Sequence, residues 1–463
     1  VSRRIAAAPV LAAIGLALTS CAGSPPVTSA PRSSYDASVA ANDQAVAGAS
    51  PDWPTYHRNN ARTGYDVTTP KPTTLTERWR AALDQKVYAE PIVIGTTVIV
   101  ATENNTVYAF DATSGAQLWK RHVASPVPVS ALPCGNIDPL GITGTPAYDS
   151  VTKRVFVVAE QPGVVHRLYG INIATGVVEV SRSVDPPNQD PTPMQQRGAL
   201  LVTNGRVYVT YGGLYGDCGD YHGHVVSLPT SGVGSMQFWR VPTPREGGIW
   251  APAGATLSFD GQSLYVSVGN GESKTVYDGS DSVVKLSLAL NRMDWFAPTT
   301  WRTDNAIDLD LGSMSPATLP NNRILIAGKS GSGYLLDASD LGHLNGQIKQ
   351  KRLCTAFGGS ARVGQVVYVP CTDGVRAVTV TDTDFTVSWK AVDNISGSPV
   401  VGMGGAVFSL DPTGGTLYVL DANNGNVITS RSVGTTTRFA TPTLWKTTIF
   451  VGTEADLVAL KAS

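Results

Sequence analysis

One motif recurs along the chain and limits what it can fold into. Between residues 91 and 119 three short apolar runs are separated by turns: Pro91 to Ile94, then Val98, Ile99 and Val100, then Val107, Tyr108, Ala109 and Phe110. Asp111, Ala112, Thr113, Ser114 and Gly115 follow and lead into a fourth run ending at Trp119. An Asp or Asn at the start of such a turn accepts bonds from its own backbone, and Gly supplies the positive φ, so the segment predicts a tight turn between two strands. The third run and its turn return at 168–176 and 417–425. The first run returns around Pro146, Pro316, Pro399 and Pro442, and in variant form around Ala199, Ala255 and Ala361, which makes eight copies. A second run follows each, at 155–158, 207–209, 264–266, 324–326, 366–369, 406–408 and 449–451. Copies lie roughly 40 to 65 residues apart, the length that four short strands and their turns consume.

A single four-stranded unit cannot bury both faces of its sheet, so the units must stack, and closing them into a ring protects most of their edges. The chain is therefore expected to be all-β: an eight-bladed β-propeller of four-stranded blades. Composition agrees, with 47 glycines and 30 prolines in 463 residues and only 15% charged residues, against a usual ~25% charged. The last copy, 442–460, has only three strands, while an orphan strand at 76–81 carries Trp79 in the fourth-strand place held elsewhere by Trp119, Trp239, Trp295 and Trp389. The N-terminal strand should thus complete the last blade and lock the ring.

Three segments are expected: 1–21, 22–51 and 52–463. In the first, Arg3 and Arg4 precede an apolar run over 5–18 that stops before Cys21, which is shorter than the ~20 residues of a spanning helix and reads as a signal peptide. Leu18, Thr19, Ser20 and Cys21 resemble a bacterial lipobox, and that resemblance implies lipidation of Cys21 and a lipid anchor on the extracytoplasmic face of the cell membrane. Ser2, Arg3 and Arg4 form part of a twin-arginine pattern, which leaves the export route open. Residues 22–51 are rich in Ser, Ala and Pro and read as a flexible tether. The net charge of −1 gives no electrostatic footprint for nucleic acid. The other cysteines, Cys134, Cys218, Cys354 and Cys371, should be oxidised outside the cytoplasm. Three pairings are open; the short separation of Cys354 and Cys371 favours that pair and leaves Cys134 with Cys218, buried free thiols being the alternative.

The Asp-Ala-x-x-Gly-x-x-x-Trp repeat resembles that of the pyrroloquinoline quinone (PQQ) propellers, and the stretch from Trp53 and Pro54 to Arg62, Thr63 and Gly64 resembles their entry segment. That superfamily holds quinoprotein alcohol dehydrogenases and also non-catalytic members such as the outer-membrane assembly lipoprotein BamB. The resemblance implies roles at one mouth of the channel: Trp250 stacking on the quinone, Asn270 as a Ca²⁺ ligand, Asp308 as catalytic base and Ca²⁺ ligand, and Lys329 bonding the quinone. Each role is chemically intelligible, because a planar anionic cofactor needs an aromatic floor and a cation at its oxygens, and a carboxylate takes the alcohol proton as hydride leaves.

The chain also departs from that pattern. No two of its cysteines are adjacent, whereas the enzymes place an adjacent pair over the quinone. Where they carry a Glu ligand for calcium, this chain reads Gly212, Gly213, Leu214, Tyr215, Gly216, Asp217 and Cys218, with Asp217 and Asp220 as out-of-register substitutes. Asp308 and Asp310 can equally be loop carboxylates that bond backbone N–H groups, with Lys329 as their partner. His222 and His224 flank Gly223, a spacing that can put two imidazoles on one strand face as metal ligands, with no third ligand in view. Two functions follow: a tethered propeller that binds an envelope protein or a small ligand at its mouth, and a PQQ- and Ca²⁺-dependent oxidoreductase.

Overall fold

The computed structural model describes residues 50–463; the signal-like run, Cys21 and the tether up to residue 49 lie outside the described residues. Eight antiparallel sheets, each with four core strands, form an eight-bladed propeller. Blade 1 consists of Ile92–Ile94, Thr97–Thr102, Thr106–Asp111 and Gln117–His122. Blades 2 to 7 follow at 147–183, 201–240, 256–297, 317–352, 361–390 and 400–432. Blade 8 takes Thr443–Trp445, Thr448–Gly452 and Asp456–Ala462, and its outer strand is the N-terminal Leu75–Ala82. The expected closure is found, with Trp79 opposite Ala459 and Thr76 opposite Lys461.

Period-two alternation sorts the core between neighbours. Ile99 and Ala101 pack with Val155 and Val157 of blade 2, while Val98 and Val100 join Phe450 of blade 8. The outer joints explain the Gly and Trp of the repeat. Three of the indoles lie against the turn glycine of the next blade: a Cβ built on Gly115, Gly176 or Gly425 would sit 2.7, 2.8 or 2.5 Å from an atom of Trp79, Trp119 or Trp389. The indole N–H groups then donate to Ala112, Ile173 and Ala422 carbonyls at 3.3, 2.9 and 2.7 Å. At the same turns Asp111 Oδ1 accepts from the Thr113 and Ser114 N–H groups, as the turn chemistry requires.

Residues 52–66 plug one end of the channel. Trp53 exchanges backbone bonds with Val93 of blade 1, and Pro54 O accepts from Tyr148 N of blade 2. Thr55 Oγ1 donates to Leu200 O beside blade 3 and Arg62 Nε to Ala255 O beside blade 4. Thr63 O and Gly64 O accept from Arg362 N and Val401 N of blades 6 and 7, and Tyr65–Asp66 adds a parallel strand to blade 7. Glu90 holds the plug from inside, taking Trp53 Nε1 and His57 N, each at 2.8 Å. These contacts fall on or next to the first strands of the blades. That end lies opposite the loops that follow the second strands, so among the described residues the plug covers the end of the channel away from those loops.

Both expected disulfides are present. Cys354–Cys371 joins the chain after the last strand of blade 5 to the segment just after the second strand of blade 6, with Cα atoms 5.7 Å apart. Cys134–Cys218, with Cα atoms 6.1 Å apart, ties the loop after blade 1 to the 214–223 loop of blade 3. One element was not anticipated: the short helix Trp301–Ala306 between blades 4 and 5.

Candidate functional site

The first strand of each blade runs away from the mouth and the second returns, so residues before the first and after the second meet at one end. Trp250, Asn270, Asp308 and Lys329 do meet there, all lining one cavity of about 500 Å³. Its size falls in the range of small-ligand sites, ~300 to 1,000 Å³. The helix Trp301–Ala306 sets the position of Asp308. Thr300 Oγ1 donates to Asp304 Oδ2 at 2.6 Å, and Asn305 Oδ1 accepts from Gly271 N at 2.8 Å, so the helix is fastened to the loop that bears Asn270. Asp308 follows in a left-handed conformation, φ 58°.

Lys329 is the centre of the polar cluster. Its Nζ lies 2.6 Å from Asp308 Oδ1 and 2.5 Å from Asp310 Oδ2. Asn270 Nδ2 donates to the same Asp308 Oδ1 at 2.8 Å, and Asn270 N donates to Asp310 Oδ1 at 2.7 Å. The Asp308 side chain is 69% exposed and that of Asp310 8%, and burial raises the Asp310 carboxyl above its ordinary value against the pull of Lys329. Burial works against the Lys329 ammonium, but Asp310 and Asp308 outweigh it and hold its pKa above the usual lysine value. Trp250 forms a half-buried wall, its ring 5.6 Å from Lys329 Nζ and 6.2 Å from the ring of Phe357.

These residues do not fit a calcium ion bound as in the dehydrogenases. Ca²⁺ needs about six to eight oxygen ligands, and here both aspartates face an ammonium at ion-pair distance. Of Asn270, Asp308, Asp310 and Lys329, Asn270 alone has a buried atom without a partner among the described residues, its Oδ1. In the stretch Gly212 to Cys218, where the resemblance puts a glutamate, Gly212 and Gly213 have no room for a side chain, since a Cβ would meet Trp250 Cβ at 2.9 Å or the Tyr221 ring closer still. Asp217 lines the cavity but accepts the Tyr221 hydroxyl at 2.6 Å, and the Asp220 side chain is 80% exposed. Among the described residues no group of three or more His, Cys, Asp and Glu side chains is arranged to hold a metal. His222 and His224 are both buried in blade 3, where His224 Nδ1 donates to the His222 carbonyl at 2.8 Å and burial depresses its pKa to about 4.

Further residues that the sequence alone does not single out also line the cavity, among them Arg197, Phe357, Arg438 and Phe439. Each of these four lies a few residues before a first strand, in blades 3, 6, 8 and 8, the place Trp250 holds in blade 4. That equivalence was the signal available for finding them.

The fold defines the class, an eight-bladed β-propeller of four-stranded blades. The family model for outer membrane protein assembly factor BamB matches residues 61–213. Among solved structures the chain is similar to quinohemoprotein alcohol dehydrogenase from Comamonas testosteroni, at 17% identity over 92% of this chain and 83% of that one, TM-score 0.69. It is similar to a europium-containing methanol dehydrogenase, at 15% identity over 91% of this chain and 100% of that one, TM-score 0.67. It is also similar to BamB from Moraxella catarrhalis, at 13% identity over 84% of this chain and 100% of that one, TM-score 0.58. No curated protein matches the chain in sequence. Likeness at these identities carries the fold alone.

Proposed function

We propose that this protein is a lipid-anchored propeller of the cell envelope that binds a ligand or a segment of an envelope partner in its mouth, without calcium-quinone chemistry. The observation that carries this reading is the ammonium of Lys329 between Asp308 and Asp310. It supplies the positive charge that a metal would bring and occupies the oxygens a metal would need. The plug at 52–66 supports the same reading, because it leaves a blind pocket open at one end. Similarity to BamB agrees with a binding role in the envelope, and the basic start, apolar run and Cys21 agree with a tether.

A second reading, a PQQ-dependent oxidoreductase, is favoured by the open cavity over Trp250 and by the order in which Trp250, Asn270, Asp308 and Lys329 occur. The two readings separate in one experiment, in which purified full-length protein is mixed with PQQ and Ca²⁺, tryptophan fluorescence is followed for binding, and dye reduction with primary alcohols is measured. We expect neither Ca²⁺-dependent quenching nor dye reduction. PQQ-dependent dye reduction that disappears in Asp308→Asn would overturn the binding reading.

A further inference from the structure

The mouth cavity has a second pole, built from residues that the quinone resemblance does not supply. Arg438 lies with its guanidinium carbon 4.7 Å from the ring of Phe357 and 5.4 Å from that of Phe439. Arg197 faces the same Phe439 ring at 5.6 Å. Two cations thus share one aromatic ring at the edge of a cavity they both line. Among the described residues neither has a carboxylate within ion-pair distance, in contrast to Lys329 and Arg245 in the same cavity region. Arg197 donates to Gln195 Oε1 at 3.1 Å, and among the described residues Arg438 has no hydrogen-bond partner.

Most acidic groups around the pair are engaged elsewhere. Glu103 acts on Arg197 through space without reaching ion-pair distance; its Oε2 accepts the Gly141 N–H at 2.7 Å, and its Oε1 is buried without a partner. Asp308 and Asp310 belong to Lys329, and Glu246 to Arg245 at 2.9 Å. Burial pulls the Arg197 guanidinium below its ordinary value; Tyr88 and Glu103 oppose that pull, and the charge of Arg438 adds to it. A planar guanidinium left without an acceptor is suited to an oxyanion, which it binds through paired N–H groups. The remaining walls, Trp250, Phe357 and Phe439, offer aromatic faces to the body of the same molecule.

We propose that the mouth cavity binds an oxyanion, carboxylate or phosphate, carried on a flat apolar body, with the anion between Arg197 and Arg438 and the body against Phe439, Phe357 and Trp250. This rests on the binding reading above and names the chemistry of its ligand. The probes are 2-naphthoate, 2-naphthyl phosphate and the neutral isostere 2-naphthamide, titrated into full-length protein at low ionic strength by calorimetry. The oxyanion probes should bind at least about tenfold tighter than the amide, since a charge-assisted pair contributes about that much. Raising the salt should weaken them selectively. Whichever oxyanion probe binds tighter identifies carboxylate or phosphate as the source. Arg438→Gln should remove most of the preference without changing amide binding, and Arg438→Lys should restore part of it. Arg438 is exposed, so its variants test the anion site with little burden on folding, and Arg197→Gln tests the inner partner. Equal affinity for naphthoate and naphthamide, an unchanged preference in both glutamine variants, or no binding of any probe would overturn the inference. PQQ-dependent dye reduction would instead overturn the binding reading, whatever the naphthoate result, so the two failures are distinguishable.

Discussion

His166 shows how a single side chain can be held in a charge state its burial opposes. It lies in strand Val165–Asn172 of blade 2, fully buried, with Nδ1 2.9 Å from Asp185 Oδ1 and Nε2 3.2 Å from Glu160 Oε2. Burial lowers its pKa, but the Glu160 and Asp185 carboxylates prevail and raise it from 6.5 to about 9. The folded state therefore binds this proton more tightly than the unfolded one. Its contribution to stability is complete below about pH 6.5 and is lost as pH rises through about 9. Replacing His166 by Gln leaves two carboxylates facing each other and should cost about 3 to 5 kcal/mol near pH 6. The gap from the parent should narrow between pH 7 and 10. Thermal melts of both proteins across that range check this, and parallel curves would show that His166 is not charged. None of this was legible in the sequence, where Glu160, His166 and Asp185 are merely scattered polar residues. By contrast, Asp308, Asp310 and Lys329 were legible as a possible ion-pair group, because loops after equivalent strands must converge. Which role they take could not be read, since it depends on contacts of 2.5 to 2.6 Å.

At the scale of the element, the joint between blades is where sequence and structure correspond best. Gly176 and Gly205 both have φ +68°, but a Cβ on Gly176 would meet Trp119 at 2.8 Å, and one on Gly205 would meet nothing within 4 Å. Gly205→Ala should cost only the left-handed strain of about 1 to 2 kcal/mol. Gly176→Ala should cost that and a further ~1 to 3 kcal/mol for overpacking against the indole. Side-by-side thermal melts decide the point, and equal melting temperatures would mean that the Trp119 joint yields freely. The strands around these joints were legible from alternation and turn residues. The helix Trp301–Ala306 was not, because six residues show less than two turns of helical period. Its fastening to Gly271 is tertiary.

At the scale of the whole molecule, ring closure and the plug give the propeller one open mouth, and the proposed anchor would set where that mouth sits in the cell. If Cys21 carries lipid, Cys21→Ala should move the protein from the membrane fraction to the soluble extracytoplasmic fraction while leaving its melting temperature unchanged. Equal retention of the variant in washed membranes would count against the anchor. The plug itself was foreshadowed only as a resemblance over Trp53 to Gly64. Its bonds reach blades 1, 2, 3, 4, 6 and 7, partners up to hundreds of residues away that no local pattern announces.

The sequence by itself determined the eightfold repeat, the strand that closes the ring, the four cysteines and the four residues that meet at the mouth. It could do so because turn chemistry and period-two alternation act over short separations and repeat. Only the tertiary structure decided what the mouth is made of. It placed the ammonium of Lys329 between two aspartates, left no space at Gly212 for a further ligand, and brought Arg197 and Arg438 from distant blades to one phenylalanine ring. The physical reason is that charge pairing, burial and excluded volume depend on distances of a few ångströms between segments far apart in the chain, which a linear pattern does not contain.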